Sequence, residues 1–239
     1  MRMRAARRVV LGVLAVQWLS IMPAWAEGDQ PCTEDAMIIF DASKSMQAAT
    51  GDNTGLRRID AVRTALSRIL PRVASRRPLG LITYGPGSRP ACSNVSLELR
   101  PTINAAEQIQ SRVDALKPDG RTPLSRAVRK AAEVLDFRNR PGTIVLLTDD
   151  EETCGGDPCA LAKDLKRQGA RTTVHVISYH IASAIGTEGV FVSRCLADET
   201  GGTYADTNTV DEVAQALEAA LACPLVSRAR TPSKLAARP

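Results

Sequence analysis

Short apolar runs alternate along this chain with segments whose apolar residues recur every three or four positions, and that alternation leaves few folds open. Residues 36–40, 79–84, 95–99, 143–148, 172–179 and 203–205 have the length and composition of strands. Between them, Ile59, Val62, Leu66, Ile69 and Val73 mark one face of a helix, as do Ile109, Val113 and Leu116, then Leu124, Val128 and Leu135, and finally Val213, Leu217 and Leu221. Residues 159–168 read as a further helix on the pair Leu161 and Leu165, with Asp157-Pro158 as cap and first turn. Apolar strands separated by amphipathic helices form a mainly parallel sheet covered on both faces. One connection breaks the rule: Gly85-Pro86-Gly87-Ser88-Arg89-Pro90 is too short for a crossover helix, so the second and third strands must form a hairpin. Right-handed crossovers elsewhere then give an α/β fold with a doubly wound, mostly parallel six-stranded sheet in the order 3-2-1-4-5-6, its third strand antiparallel at an edge. There is no internal repeat, and Gly85-x-Gly87 lacks the further glycine and the following helix of a phosphate-binding loop.

Open sheets of this kind bind ligands at the carboxyl ends of their strands. The first strand runs straight into Asp41-Ala42-Ser43-Lys44-Ser45, a carboxylate and two hydroxyls within five residues. Such oxygens suit Mg²⁺, Mn²⁺ or Ca²⁺ better than softer metals. Five residues do not fill an octahedron, and the chain offers two further sources of oxygen. One is Thr122, in Asp119-Gly120-Arg121-Thr122-Pro123-Leu124; the other is Asp149, after Thr143-Ile144-Val145-Leu146-Leu147-Thr148. Taken singly, Asp41 or Ser43 would cap a helix, Thr122 would cap the helix starting at Pro123, and Asp149 would be loop. Together they fall at loops on one edge of the predicted sheet, where strands 1 and 4 are neighbours. As loop-end residues they are expected outside the core, so that Asp41→Ala and Thr122→Ala remove the ion and spare the fold.

With Asp-x-Ser-x-Ser, a distant Thr and a distant Asp in this order, the chain resembles the von Willebrand factor type A domain and its metal-ion-dependent adhesion site, from about residue 34 to about 221. The resemblance implies that Ser43, Ser45 and Thr122 touch the metal, with Asp41 and Asp149 as direct or water-mediated ligands. The chain departs from the family at one point. Where the family usually reads Thr-Asp-Gly, this sequence reads Thr148-Asp149-Asp150-Glu151-Glu152. Asp149 takes the family position because it follows the last strand residue, and Asp150 stands beside it as a competitor.

The 239 residues are enough for one large domain or two small ones. Residues 1–26 read as a signal peptide: Arg2, Arg4, Arg7 and Arg8 precede an apolar run, and Ala24-Trp25-Ala26 fits a small-x-small cleavage site. The run is short of the about 20 residues a membrane span needs, and Gln17 interrupts it. The expectation is therefore an exported protein, periplasmic or secreted, with no transmembrane segment once the leader is cleaved; Arg7-Arg8 raises twin-arginine export. Lys and Arg number 31 against 26 Asp and Glu, but four basic residues lie in the leader, which leaves 27 against 26. Four more (Arg228, Arg230, Lys234 and Arg238) lie in residues 227–239, so residues 27–226, the expected domain, stand at 23 against 26. That balance gives no footing for nucleic acid, and with 3% aromatic residues stacking platforms are scarce. Residues 227–239, rich in Arg, Ala, Ser and Pro, read as a disordered basic tail.

All six cysteines follow the leader, and an even number in an exported chain argues for disulfides, with fifteen possible pairings. Cys32 precedes the central first strand and Cys223 follows the last helix, so the predicted topology brings them together below the sheet. Cys92, in the hairpin loop, and Cys195, at the helix between strands 5 and 6, are three or more strand spacings of about 4.8 Å apart, beyond the roughly 7 Å limit for a bridge. A Cys154 to Cys159 bridge would strand Cys92 and Cys195, so the hypothesis that leaves no free thiol joins Cys159 to Cys195, at the starts of two neighbouring helices, and Cys92 to Cys154. The Cys92 to Cys154 bridge would clamp the metal loops, so reduction is expected to weaken metal-dependent binding. Zinc fits poorly, because four residues separate Cys154 from Cys159 and His175 sits inside a strand pattern.

An ion held mainly by neutral hydroxyls keeps much of its charge and can take an acidic side chain from a protein partner. The expected function is a metal-dependent protein-binding module and not an enzyme. The acidic run 149–152, unless merely a solvated loop, would favour a single carboxylate set in basic surroundings. Two alternatives stand beside it: a Mg²⁺-dependent phosphohydrolase using Asp41, and a scaffold whose metal is only structural. The first lacks a second acidic residue two positions after Asp41, and His175 and His180 lie on or just after one strand away from the constellation. Some relatives work beside AAA-type ATPases as chelatase or chaperone-like subunits, a role that export and disulfides oppose.

Overall fold

The computed structural model describes residues 32, 34–50, 54–87, 92–149, 152–169, 171–179 and 192–223. The expected leader, the basic tail, Asp150, Glu151, His180 and the hairpin residues Ser88, Arg89 and Pro90 lie outside them. Six strands form one sheet: β1 (Ala36–Asp41), β2 (Leu79–Tyr84), β3 (Val95–Thr102), β4 (Pro141–Thr148), β5 (Arg171–Tyr179) and β6 (Tyr204–Thr207). Their order is β3-β2-β1-β4-β5-β6, with only β3 antiparallel to its neighbour. The helices are α1 (Arg58–Val73), α2 (Ala106–Asp114), α3 (Leu124–Val134), α4 (Pro158–Gln168), α5 (Arg194–Thr200) and α6 (Val210–Leu221), and a 3₁₀ turn spans Lys44–Gln47.

Alternation along β1 builds both layers of the core. Ala36, Ile38 and Phe40 pack with apolar residues of α1, α2 and α6, whereas Met37 and Ile39 pack with those of α3, α4 and α5. Every residue of β1 is buried, as a central parallel strand requires. Local chemistry sets the ends of the helices. The Asp157 carboxylate accepts the Ala160 N–H at 2.9 Å, with Pro158 in the first turn of α4, and Thr209 and Glu212 form a capping box on α6. Helix α2 stops at Asp114, short of the expected Leu116. Residues approaching Pro118 are pushed away from helical geometry, and Leu116 packs against the core from the following turn.

Three disulfides join Cys32 to Cys223, Cys92 to Cys154 and Cys159 to Cys195, the pairs that the predicted topology called for. The first closes the amino-terminal edge of the sheet beside Arg77, which is 1% exposed. Arg77 Nε donates to the Glu34 carbonyl at 3.0 Å, and its other nitrogens reach the Leu221 and Ala222 carbonyls and the Thr143 hydroxyl. Burial holds its pKa below the usual arginine value. Among the described residues no helix is long and apolar enough to cross a membrane.

Candidate metal centre

Three strands end side by side at the carboxyl edge of the sheet. The register sets Asp41, the last residue of β1, opposite Tyr84, the last of β2, and sets Phe40 opposite Leu147, one residue before Thr148 closes β4. Asp41 Oδ2 accepts hydrogen bonds from Tyr84 Oη and Thr148 Oγ1, both at 2.8 Å, and Oδ1 accepts the Ser43 N–H at 2.7 Å. Asp41 is fully buried. Burial, reinforced by the negative charge of Asp149, pushes its carboxyl up to about 7, against the lowering effect of the Ser43 and Tyr84 hydrogen bonds. Tyr84 is raised well above the ordinary phenol value by burial first and by the Asp41 charge second.

The Ser43 and Ser45 hydroxyls lie 3.0 Å apart in the loop that follows, Ser43 buried and Ser45 half-buried. This loop is fixed by backbone contacts with two others. Ser43 forms an isolated bridge with Gly120, the Lys44 N–H donates to the Gly120 carbonyl at 3.0 Å, and the Gly120 N–H donates to the Gly85 carbonyl at 2.8 Å. At the junction Gly85 has φ +76°, and a Cβ there would lie 2.6 Å from the Ser43 nitrogen. Only glycine combines that dihedral with that approach.

Thr122 is 1% exposed, and its backbone is held from both sides by Thr153. Its N–H donates to Thr153 Oγ1 at 2.8 Å, and its carbonyl accepts the Thr153 N–H at 3.1 Å. Neighbouring Glu152 accepts the Ser125 N–H at the start of α3 at 2.8 Å and the Cys154 N–H at 2.9 Å. The Cys92–Cys154 bridge ties this segment to the β2–β3 hairpin, with Arg121 Nη1 3.8 Å from Cys92 Sγ.

Asp149 follows β4 with its side chain 1% exposed, and its Oδ2 pairs with Arg58 Nη1 at 2.9 Å. Its Oδ1 is buried with no hydrogen-bond partner among the described residues. A buried carboxylate oxygen without a donor is costly. The structure thus brings to one edge Asp41 at the end of β1, Ser43 and Ser45 in the loop after it, Asp149 just after β4, and the α2–α3 loop that carries Thr122. It also adds Tyr84, Thr148, Arg58, Gly85, Glu152 and Thr153, which motif reading did not find.

Two expectations need correction. Asp41 and Thr122 belong to the buried interior: the hydroxyls of Tyr84 and Thr148 both donate to the Asp41 carboxylate, so Asp41→Ala strips a buried network and does not spare the fold. The run 149–152 is not uniformly a free acidic surface either, since Asp149 is paired with Arg58 and both Glu152 oxygens accept backbone N–H groups. Among the described residues no group of three or more His, Cys, Asp or Glu side chains could hold a metal. An ion here would rest on two carboxylates and three hydroxyls, the donor set of a hard cation. The buried Asp149 Oδ1, without a hydrogen-bond partner among the described residues, leaves a carboxylate oxygen in want of a positive partner, and in that sense the residues fit a divalent ion. His175 lies within β5, with its Nδ1 accepting the Thr203 N–H at 3.2 Å, and takes no part.

Fold and site together define an open α/β domain with a cluster of carboxylate and hydroxyl oxygens at its strand ends. Over residues 36–152 the chain matches the family model of the von Willebrand factor type A domain. It is 29% identical over 219 residues to the uncharacterized protein YwmD of Bacillus subtilis (strain 168), covering 87% of this chain and 93% of that protein. Among solved structures, an aerotolerance-related membrane protein from Bacteroides fragilis NCTC 9343 superposes with a TM-score of 0.60 at 18% identity, over 79% of this chain and 98% of that one. The manganese-loaded TRAP protein of Plasmodium vivax gives 0.52 at 18% identity, over 82% of this chain and 74% of that one. At these identities the structural likeness is one of fold.

Proposed function

We propose that the protein is an exported, metal-dependent protein-binding module, periplasmic or secreted, whose domain spans residues 27–226 between a cleaved leader and a basic tail. The observation that carries this reading is the buried, unpartnered Asp149 Oδ1 beside the buried Asp41, at a strand edge that otherwise offers hydroxyls. Ser43, Ser45, Thr122 and Asp149 would hold Mg²⁺ or Mn²⁺ (Ca²⁺ is the larger alternative), with Asp41 acting through water because three donors already occupy its oxygens. The bound ion supplies an electrophilic position that an acidic side chain of a protein partner completes. Three disulfides suit the oxidising compartments outside the cytoplasm.

Both Asp41 oxygens accept hydrogen bonds inside the fold and the residue is fully buried, which weighs against its acting as a nucleophile in phosphoryl transfer. Isothermal titration of the mature chain with Mg²⁺ and Mn²⁺ should give one site, lost in Thr122→Ala and weakened in Asp41→Asn, which keeps one oxygen acceptor. A pull-down from the exported fraction should capture a partner with Mg²⁺ and release it with EDTA. Capture that survives EDTA would select the scaffold reading, and phosphate release from a generic aryl phosphate would select the enzyme.

A further inference from the structure

Arg58 opens α1, ninety-one residues before Asp149 in sequence, and reaches it with a single contact: Nη1 to Oδ2 at 2.9 Å. Arginine and carboxylate commonly pair through two parallel hydrogen bonds, so this geometry leaves capacity unused on both partners. Asp149 Oδ1 and Arg58 Nε are each buried without a hydrogen-bond partner among the described residues. The guanidinium is also poorly placed for α1 itself, since positive charge is unfavourable at a helix amino terminus. Its side chain is 19% exposed, whereas the adjoining Arg57 is 52% exposed and turns away to Asp60 at 2.7 Å.

We infer that Arg58 is an internal counter-cation of the metal centre: it holds Asp149 by one oxygen, keeps the other available, and sets the affinity for the divalent ion low enough that an anionic partner is needed to complete a stable site. This rests on the metal-binding reading above and adds the residue that regulates it. The buried negative charge of Asp149, with Asp41 behind it, would by itself attract a divalent ion strongly, because opposite charges attract more in a buried site than in bulk water. One guanidinium on the same carboxylate offsets part of that attraction, and a carboxylate arriving from a partner restores it. The metal and the partner then bind with positive cooperativity, each raising the affinity for the other by the same factor.

The test is titration of the mature wild-type chain, Arg58→Gln and Arg57→Gln with MnCl₂, followed by calorimetry and by the paramagnetic relaxation of water protons. Arg58→Gln should bind Mn²⁺ about tenfold tighter than wild type, while Arg57→Gln matches wild type. In EDTA, Arg58→Gln should unfold at lower denaturant than wild type, because its two carboxylates then face each other without a cation, and saturating Mn²⁺ should close that gap. A purely structural Arg58 would lower metal affinity together with stability. Equal or weaker Mn²⁺ binding by Arg58→Gln therefore overturns the inference while leaving the metal site standing. Absence of binding in all three proteins overturns the metal reading itself and this inference with it.

Discussion

At single residues the site is governed by backbone room as much as by ligands. Gly85 touches the Ser43 loop and, through its carbonyl, the Gly120 loop that leads to Thr122. Gly85→Ala forces a side chain into a left-handed backbone and against the Ser43 nitrogen, a combination that costs about 1–3 kcal/mol. Chemical denaturation should show that loss, and Mn²⁺ titration should show weaker binding although no ligand has changed; wild-type affinity in Gly85→Ala would mean that the loop does not need this junction. Asp41, Ser43 and Ser45 are legible in the sequence because their adjacency survives any fold. Tyr84 and Thr148 are not, because they reach Asp41 only when the register of three strands lines up their last residues. Arg58 is hidden for the same reason: nothing in a helical apolar pattern marks which charged residue faces a distant loop.

Among the elements, the segment Glu152-Thr153-Cys154 acts as a latch on Thr122 and on the first turn of α3. The Cys92–Cys154 bridge anchors that latch across a separation of 62 residues. Replacing both cysteines by serine should leave the far-UV spectrum and the other two bridges intact, since the strands and their packing do not depend on the latch. Metal affinity should fall by about tenfold, equivalent to roughly 1.4 kcal/mol of lost preorganisation. Calorimetry on the oxidised and doubly substituted proteins measures the difference, and equal affinities would separate the bridge from the site. The strands and most helices were readable from apolar period alone, and the short hairpin linker placed β3 at its edge. The latch was not, because Glu152 reads as surface charge until both of its oxygens are found on backbone N–H groups.

For the molecule as a whole, the two layers of core meet at β1, and the chain closes on itself where Cys32 joins Cys223, 191 residues apart, with Cα atoms separated by 5.1 Å. The order of the strands and the position of this bridge followed from topology; Arg77 beneath it, gathering carbonyls from two chain segments, did not, because a lone arginine in a sequence says nothing of its burial. Cys32→Ser with Cys223→Ser should lower stability by about 4–5 kcal/mol through the entropy of the unfolded chain, with metal affinity unchanged, and urea denaturation with parallel titration reads both. The same bridge also sets a mechanical property. Tension applied between any segment before Cys32 and any segment after Cys223 passes through one covalent link at the base of the sheet. The strands, the loops and the oxygen-lined edge on the far side bear none of that load, and this edge keeps its shape and its outward aim while the chain is pulled.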